Sequence, residues 1–347
     1  MRLLARVTLL VLLTSACTGD SRTPLVIYSP HGRDLLTLLE RRFERLHPDV
    51  DVRWLDMGSQ EVYDRLRSER ANAQADVWFG GPATIFARGA HDSLLEPFRP
   101  TWAGAIGPHG RGPEDRYFAA YETPAVIVYA EQAVKPEEAP RDWDDLLDPR
   151  WKGKVLIRDP LASGTMRAVW GMIIERGLKH TGDTAAGFQW LRRLDAQTKE
   201  YVLNGPLLDQ KIVRQEGLVT IWDLPDILLN RRDGLQLGYV FPKSGTPVIE
   251  DAIGVVRGAR HRAQADAFVE YVGSVEAQLL ATREAYRLPA RLDLPLDSLP
   301  PWAREVRRVM KVADVDWDVL AERGAEWMRY WDENVRGKGE GRERAGP

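Results

Sequence analysis

The chain has 347 residues, too many for one core of ordinary size and enough for two lobes. Apolar residues make up 44%, charged residues 29%, and the formal net charge is −3, all values of an ordinary globular protein. That balance produces no field to gather a polyanion, so nucleic acid is excluded as an expected partner.

The N-terminus comes first. Arg2 and Arg6 supply a positive start before an apolar stretch at residues 7–13, and Thr14-Ser15-Ala16-Cys17 supplies small residues for processing, so residues 1–17 read as an export signal. The apolar run is too short to span a bilayer. Cys17 is the chain's only cysteine, which excludes disulfides, thiolate metal sites and a nucleophilic cysteine from the body. Leu13, Ser15, Ala16 and Cys17 resemble the lipobox of bacterial lipoproteins, although Thr14 stands where an aliphatic residue is usual. The resemblance implies acylation of Cys17 and a lipid-anchored, periplasmic or extracytoplasmic location. Simple secretion, with Cys17 near or beyond an ordinary cleavage site, is the alternative. Residues 18–24 then form a tether, and the folded body starts near Leu25.

The body opens with one arrangement three times. Residues 26–28 run into Ser29-Pro30-His31-Gly32, residues 50–55 into Met57-Gly58-Ser59, and residues 77–79 into Gly80-Gly81-Pro82, each followed by a helix pattern. Leu35, Leu36, Leu39, Phe43 and Leu46 keep helical spacing until Pro48, while Val50, Val52 and Trp54 alternate with charged residues as a strand does. Pro82 suits the first turn of a helix. Such strand-to-helix turns gather along one edge of a parallel sheet, where open α/β sheets hold ligands and helix starts offer unpaired N–H groups.

The arrangement returns further on. Residues 154–157 end in a turn containing Ser163-Gly164-Thr165, residues 201–203 in Asn204-Gly205-Pro206, and residues 219–221 in Trp222-Asp223-Leu224-Pro225. Two sheet lobes with ligand-edge turns imply a cleft between them for something small and anionic. Residues 121–129 and 247–256 are long β-rich runs, the first containing Pro124, and both read as strands that cross between lobes and act as the hinge. Residues 142–154 read as a capped short helix and a turn. From Ala263 the chain is mostly helical, with one stripe through Phe268, Val272, Val275 and Leu279 and another through Trp317, Leu320, Trp327, Trp331 and Val335. Both stripes are expected in the core. The Gly/Arg/Glu-rich residues 337–347 are expected to be disordered. The expected division is a discontinuous first lobe, 25–123 and 256–336, and a second lobe, 124–255.

The exported N-terminus, residues 26–32, residues 75–81 (Ala-Asp-Val-Trp-Phe-Gly-Gly), Trp143 to Lys154, Ala-Ser-Gly-Thr at 162–165 and Val248 to Ala252 are similar, as an ordered set, to periplasmic solute-binding proteins of ABC importers. They resemble more narrowly the cluster containing ferric-iron, phosphonate, phosphoglycerate and sugar-phosphate binders. The resemblance implies an α/β, two-lobed type II periplasmic binding protein fold, each lobe a mainly parallel sheet flanked by helices, the two joined by crossing strands. It also implies a monomer that traps solute by hinge closure and delivers it to an ABC permease in the inner membrane, with no cofactor and no catalysis. Ferric members carry adjacent tyrosines on the third turn of the second lobe. Trp222-Asp223 stands there in this chain, and no adjacent tyrosines occur anywhere in it, so a ferric cargo is the alternative. Sugar-phosphate members place an aspartate at that turn, matched by Asp223, and an acidic residue on the returning strand, matched by Glu250 or Asp251, while Trp222 departs from their pattern. Ser163, Gly164 and Thr165 match the helix start that many members use to hold an anion.

The candidate ligand residues are Ser29, His31, Gly32, Ser59, Gly80, Gly81, Ser163, Gly164, Thr165, Asn204, Trp222, Asp223, Glu250 and Asp251. Helix starts and hydroxyls suit a phosphate, whereas carboxylates repel it and suit sugar hydroxyls or an ammonium group further along the same molecule. Each has a plainer reading as well. Ser163, Thr165 and Asp223 are also helix caps in waiting, Glu250 and Asp251 hinge-strand surface charges, His31 a turn-packing residue, and Trp78, like Trp222, either stacks on ligand or packs in the core. A phosphate-ester hydrolase using His31, Asp223 and Glu250 is the reading from another class, without a Gly-x-Ser-x-Gly or His-Glu-x-x-His motif to support it. A sensing domain that docks on a receptor is the third.

Overall fold

The computed structural model describes residues 21–338. The export signal with Cys17, the start of the tether and nearly all of the expected tail lie outside the described residues. The first strand opens earlier than expected, at Thr23, because the Thr23 N–H donates to Asp49 O at 2.7 Å and Arg22 is fastened to Asp51 at 2.9 Å. At the other end Gly337 still donates its N–H to Asp195 at 2.9 Å, so the chain is held one residue into the segment expected to be disordered.

The first three strand–helix pairs are β1 (Thr23–Ser29) with α1 (Gly32–Leu46), β2 (Val50–Asp56) with α2 (Ser59–Ser68), and β3 (Val77–Pro82) with α3 (Ala83–His91). β1 lies between β2 and β3, parallel to both. The apolar stripe Leu35, Leu36, Leu39 and Phe43 of α1 is buried on this sheet. On its other face Trp78 is fully buried, its ring 3.9 Å from that of Phe86, so it is core and does not stack on a ligand.

After β4 (Leu95–Glu96) comes β5 (Phe118–Ala130), which joins the two halves of the sheet. Its first part, through Pro124, pairs with β10 (Val248–Val256), and from Ala125 onward it pairs with β8 (Val219–Asp223) and β9 (Leu237–Val240). The change of partners falls at the proline, which has no N–H to give a ladder. Thr246, fully buried, donates its hydroxyl to Ala125 O as the chain returns toward β10.

The second half carries β6 (Val155–Arg158), α4 (Gly164–Thr181), α5 (Ala185–Gln197), β7 (Thr198–Val202), α6 (Gly205–Val213) and α7 (Leu224–Arg232). β6 is parallel to β7 and β8. The short helical turn at Trp143–Leu147 has a reciprocal cap between Asp142 and Asp145, and Trp143 bonds Gly245 O at 2.9 Å, in keeping with its structural reading. The chain ends through α8 (Arg262–Val272), α9 (Val275–Ala285), β11 (Leu288–Pro289), α10 (Pro301–Val309) and α11 (Trp317–Asn334). Among the described residues no helix is long and apolar enough to cross a membrane.

The C-terminal helices α10 and α11 pack on the second half. Leu299, Ala303 and Val306 are buried with Val126, Leu208 and Trp222, and Trp327, Trp331 and Val335 with Trp170 and Val169, all partners in the second half. An amphipathic stripe fixes which face is buried but not which lobe buries it. The stripe through Phe268 and Val272 also ends sooner than expected: Gly273 closes α8, Ser274 caps α9, and Val275 is exposed.

Candidate functional site

The strand-to-helix turns of both halves face one cleft of about 730 Å³. α1, α2, α4 and α6 each place their first residue on its wall, and α7 places its N-cap residue, Asp223, there. Four helix starts and the cap of a fifth therefore converge on one volume, and each start carries N–H groups without partners inside its own helix.

Ten of the fourteen expected residues line this cleft: His31, Gly32, Ser59, Ser163, Gly164, Thr165, Asn204, Trp222, Asp223 and Asp251. Ser29, Gly80, Gly81 and Glu250 do not. Ser29 is fully buried and its Oγ accepts from the His31 N–H at 3.2 Å, which makes it part of the turn. Gly80 and Gly81 have φ of +98° and +100°. A Cβ on Gly80 would lie 2.5 Å from the His31 ring, so the glycine makes room for the histidine and does not meet a ligand itself. Glu250 lies on the opposite face of β10 from Asp251, as successive strand residues must, and borders a separate small pocket with His109, Tyr117 and Asp318.

The plainer readings divide in the same way. Ser163 and Asn204 are caps, accepting from Met166 N at 3.2 Å and Leu207 N at 3.0 Å, and they line the cleft as well. Asp223 is in the N-cap position of α7 but makes no capping bond, and its Oδ1 is buried without a partner. Asp251 is fully engaged: it accepts from Thr123 Oγ1 at 2.5 Å and from Gly81 N at 3.2 Å.

Sequence reasoning missed the cations. Arg287, only 4% exposed, reaches Asp226 Oδ1 and His31 O, each at 3.3 Å, and so ties the start of α1 to α7 across the cleft. Arg158, 8% exposed, ends β6 and donates to Val202 O at 3.3 Å. Arg158 was visible as a charge closing an apolar strand at a ligand-edge turn. Arg287 follows a polar helix end, Thr-Arg-Glu-Ala-Tyr, that reads as solvated surface. Its inward course depends on Tyr286, which ends α9 in the left-handed region at φ 52°.

Acids outnumber these cations on the walls, and burial sets their protonation. The Asp223 carboxyl is pushed well up by burial and by the nearby Asp226, against the pull of Thr165 and Arg287. Burial also raises Asp226, opposed by Arg287, and raises Asp251, opposed by its Thr123 hydrogen bond. Asp209 is pushed up to about 7, chiefly by burial. His31 is driven the other way, kept neutral by burial and by Arg287, and its Nε2 has no partner. Among the described residues no group of three or more His, Cys, Asp or Glu side chains is placed to hold a metal ion.

The two walls also touch. A Cβ on Gly164 would lie 2.4 Å from Pro82 Cδ and 2.9 Å from Ser59 Oγ, so only glycine lets the start of α4 come this close to β3 and α2. At the rim Arg232 of α7 pairs with Asp34 of α1 at 3.4 Å.

Residues 85–323 match the sequence profile described as bacterial extracellular solute-binding protein, and this chain belongs to that family. A periplasmic-binding protein of Sinorhizobium fredii named as an ABC transporter component is 26% identical over 90% of this chain and 86% of its own. A Salmonella typhimurium periplasmic protein named for 2-aminoethylphosphonate binding is 26% identical over 78% of this chain and 79% of its own, and iron uptake protein A1 of Synechocystis is 26% identical over 72% and 71%. Among solved structures, the periplasmic binding protein AfuA of Actinobacillus pleuropneumoniae, with fructose 6-phosphate bound, superposes with a TM-score of 0.81 at 24% identity, covering 91% of this chain and 99% of that one. The protein therefore has the two-lobed periplasmic binding fold, and it is a solute-binding protein.

Proposed function

We propose that this protein is the extracytoplasmic receptor of an ABC importer and that its cargo is an organic phosphate or phosphonate carrying hydroxyls or an ammonium group. The observation that carries this reading is Asp223, a half-buried residue whose buried Oδ1 is unpartnered, set among converging helix starts on the same cleft. The helix starts, Arg158 and the hydroxyls of Ser59 and Thr165 suit the anionic end, while Asp223 suits a donor at the other end. Sulfate has no O–H or N–H to offer it, and inorganic phosphate has no donor end separate from its anionic one.

The magnitudes are consistent with that division. One helix start contributes about 0.3–1 kcal/mol to an anion, up to ~2 kcal/mol when partly buried. Micromolar binding requires roughly 8 kcal/mol. Several helix starts and charge-assisted hydrogen bonds reach that range once closure excludes water. In this reading the lobes shut over the solute, the crossing strands flex, and a permease in the inner membrane receives the load without any turnover of the ligand. Acylated Cys17 holds a monomer at the membrane surface.

A thermal-shift screen tests the reading, because a ligand that binds only the folded state raises its melting temperature. Hexose phosphates and aminoalkylphosphonates are expected to stabilise, and inorganic phosphate and sulfate to have little effect. The competing cargo is ferric iron, and stoichiometric Fe(III) binding with a visible phenolate band would replace the organic phosphate. Release of phosphate from a monoester panel would instead favour the hydrolase.

A further inference from the structure

Behind the contact between Gly164 and Pro82 is a second, smaller pocket of about 40 Å³, room for a water-sized species or a small ion. α3 contributes Thr84 and Arg88, α4 contributes Gly164 and Arg167, and α11 contributes Ala321 and Gly324. α3 and α4 stand on opposite sides of the contact between lobes, so the pocket takes one arginine from each. Neither guanidinium has a carboxylate partner among the described residues. Arg88 lies 4.5 Å over the Tyr63 ring, and Arg167 donates to Leu161 O at 3.0 Å while its Nε is buried and unpaired.

The acids that act on Arg167 from a distance are Asp64 and Asp159, and both are engaged elsewhere. Asp64 accepts from Gln60 at 2.9 Å, and Asp159 accepts from Arg336 at 2.6 Å and from Leu161 N at 2.8 Å. Burial and the proximity of Arg88 lower the pKa of Arg167 to about 10, the signature of a positive charge without its counter-charge. The third side of the pocket, from α11, is lined by Leu320, Ala321, Gly324 and Ala325, which bring no charge. Two cations facing one partly desolvated volume repel each other, and a small anion between them would remove that repulsion.

We propose that Arg88 and Arg167 form a binding site for a small inorganic monoanion, of the size of chloride or bicarbonate, that clamps the two lobes together beside the solute cleft. The anion meets both arginines only where the lobes touch, so it binds the closed arrangement in preference to an open one. By linkage it then raises the affinity for solute, and solute raises the affinity for the anion. This coupling rests on the solute reading above, whereas the anion site itself does not.

The experiment is therefore done first on solute-free protein. Melting is followed at constant ionic strength while sodium gluconate is replaced by sodium chloride or sodium bicarbonate, and chloride-35 line broadening reports direct binding. A rise of about 2 °C or more in one of the small anions is expected for the native sequence, with line broadening if chloride is the occupant. Arg167→Gln and Arg88→Gln are each expected to abolish the shift. Either variant suffices should the other fail to fold. Equal melting in all three salts, or a shift that survives both substitutions, overturns the site and leaves the pocket to water. A shift confined to bicarbonate identifies that occupant and supports the site. An anion-dependent melt in a protein that binds no organic phosphate would overturn the cargo while leaving the clamp in place.

Discussion

Asp223 and Asp251 both face one cleft, the first half-buried and the second buried, and they are held in opposite ways. Asp251 accepts from Thr123 and from the Gly81 backbone, so it fastens the turn after β3 to the crossing strands. Asp223 begins a helix without capping it and keeps an oxygen unpartnered. A pKa raised by burial is common to the two. What separates a structural acid from a candidate ligand group is whether its hydrogen bonds are complete within the protein.

The most severe way to break this comparison is to remove the cation that acts on both. Arg287→Met leaves Asp226, its 3.3 Å partner and about one-third exposed, without its cation and the buried His31 carbonyl without its donor. Loss of about 2–3 kcal/mol is expected in denaturant unfolding near neutral pH, and Asp226→Asn in the same chain should recover part of it. An Arg287→Met protein as stable as the parent would mean that the pair is not part of the cleft's framework.

The two aspartates come next and should diverge. Asp251→Ala removes the acceptor of a buried hydroxyl and a backbone N–H and is expected to destabilise by about 1–3 kcal/mol. Asp223→Ala is expected to leave stability unchanged or slightly improved, because it deletes an unsatisfied buried group, while weakening the best organic phosphate by roughly tenfold, or about 1.4 kcal/mol. Calorimetry and urea melts on the two variants check both halves. Matching behaviour would erase the distinction.

Smaller effects sharpen it. Ser163→Ala together with Thr165→Ala should cost about 1 kcal/mol of stability through the lost cap and weaken the anionic end by at least roughly threefold. A weaker effect on binding would leave Ser163 as a cap alone. Asp209 supplies a pH test with a definite sign. Its folded pKa is raised to about 7 from the ordinary aspartate value. The folded state therefore holds its proton more tightly than the unfolded chain, and the stability this contributes is present at low pH and is lost as pH rises from about 4 to about 7. Asp209→Asn should flatten that part of the stability profile. An unchanged slope would show that another group carries it.

Much of this arrangement was legible in the residues. The turns at 29–32, 57–59, 162–165, 204–206 and 222–225 announced themselves by apolar runs stopped at Gly, Ser and Pro, and all of them reach the cleft. The period-two geometry of β10 was legible too, yet Glu250 and Asp251 were taken together because the sequence does not say which face of a strand meets the ligand. Arg287 was hidden because its inward path depends on the left-handed turn at Tyr286, and nothing in a polar helix end signals it. The allegiance of α11 was hidden for a different reason. Trp327 and Trp331 declare a buried face, but the partner, Trp170, is far away in sequence.

Calorimetric titration of one protein sample with a hexose phosphate, an aminoalkylphosphonate, inorganic phosphate and Fe(III) tests the cargo most directly. One of the two organic compounds should bind at a single site with micromolar or tighter affinity, and inorganic phosphate should be weaker by roughly a hundredfold, about 2.7 kcal/mol. Inorganic phosphate binding as tightly as the organic compounds, or Fe(III) as the only solute that binds, would contradict the account.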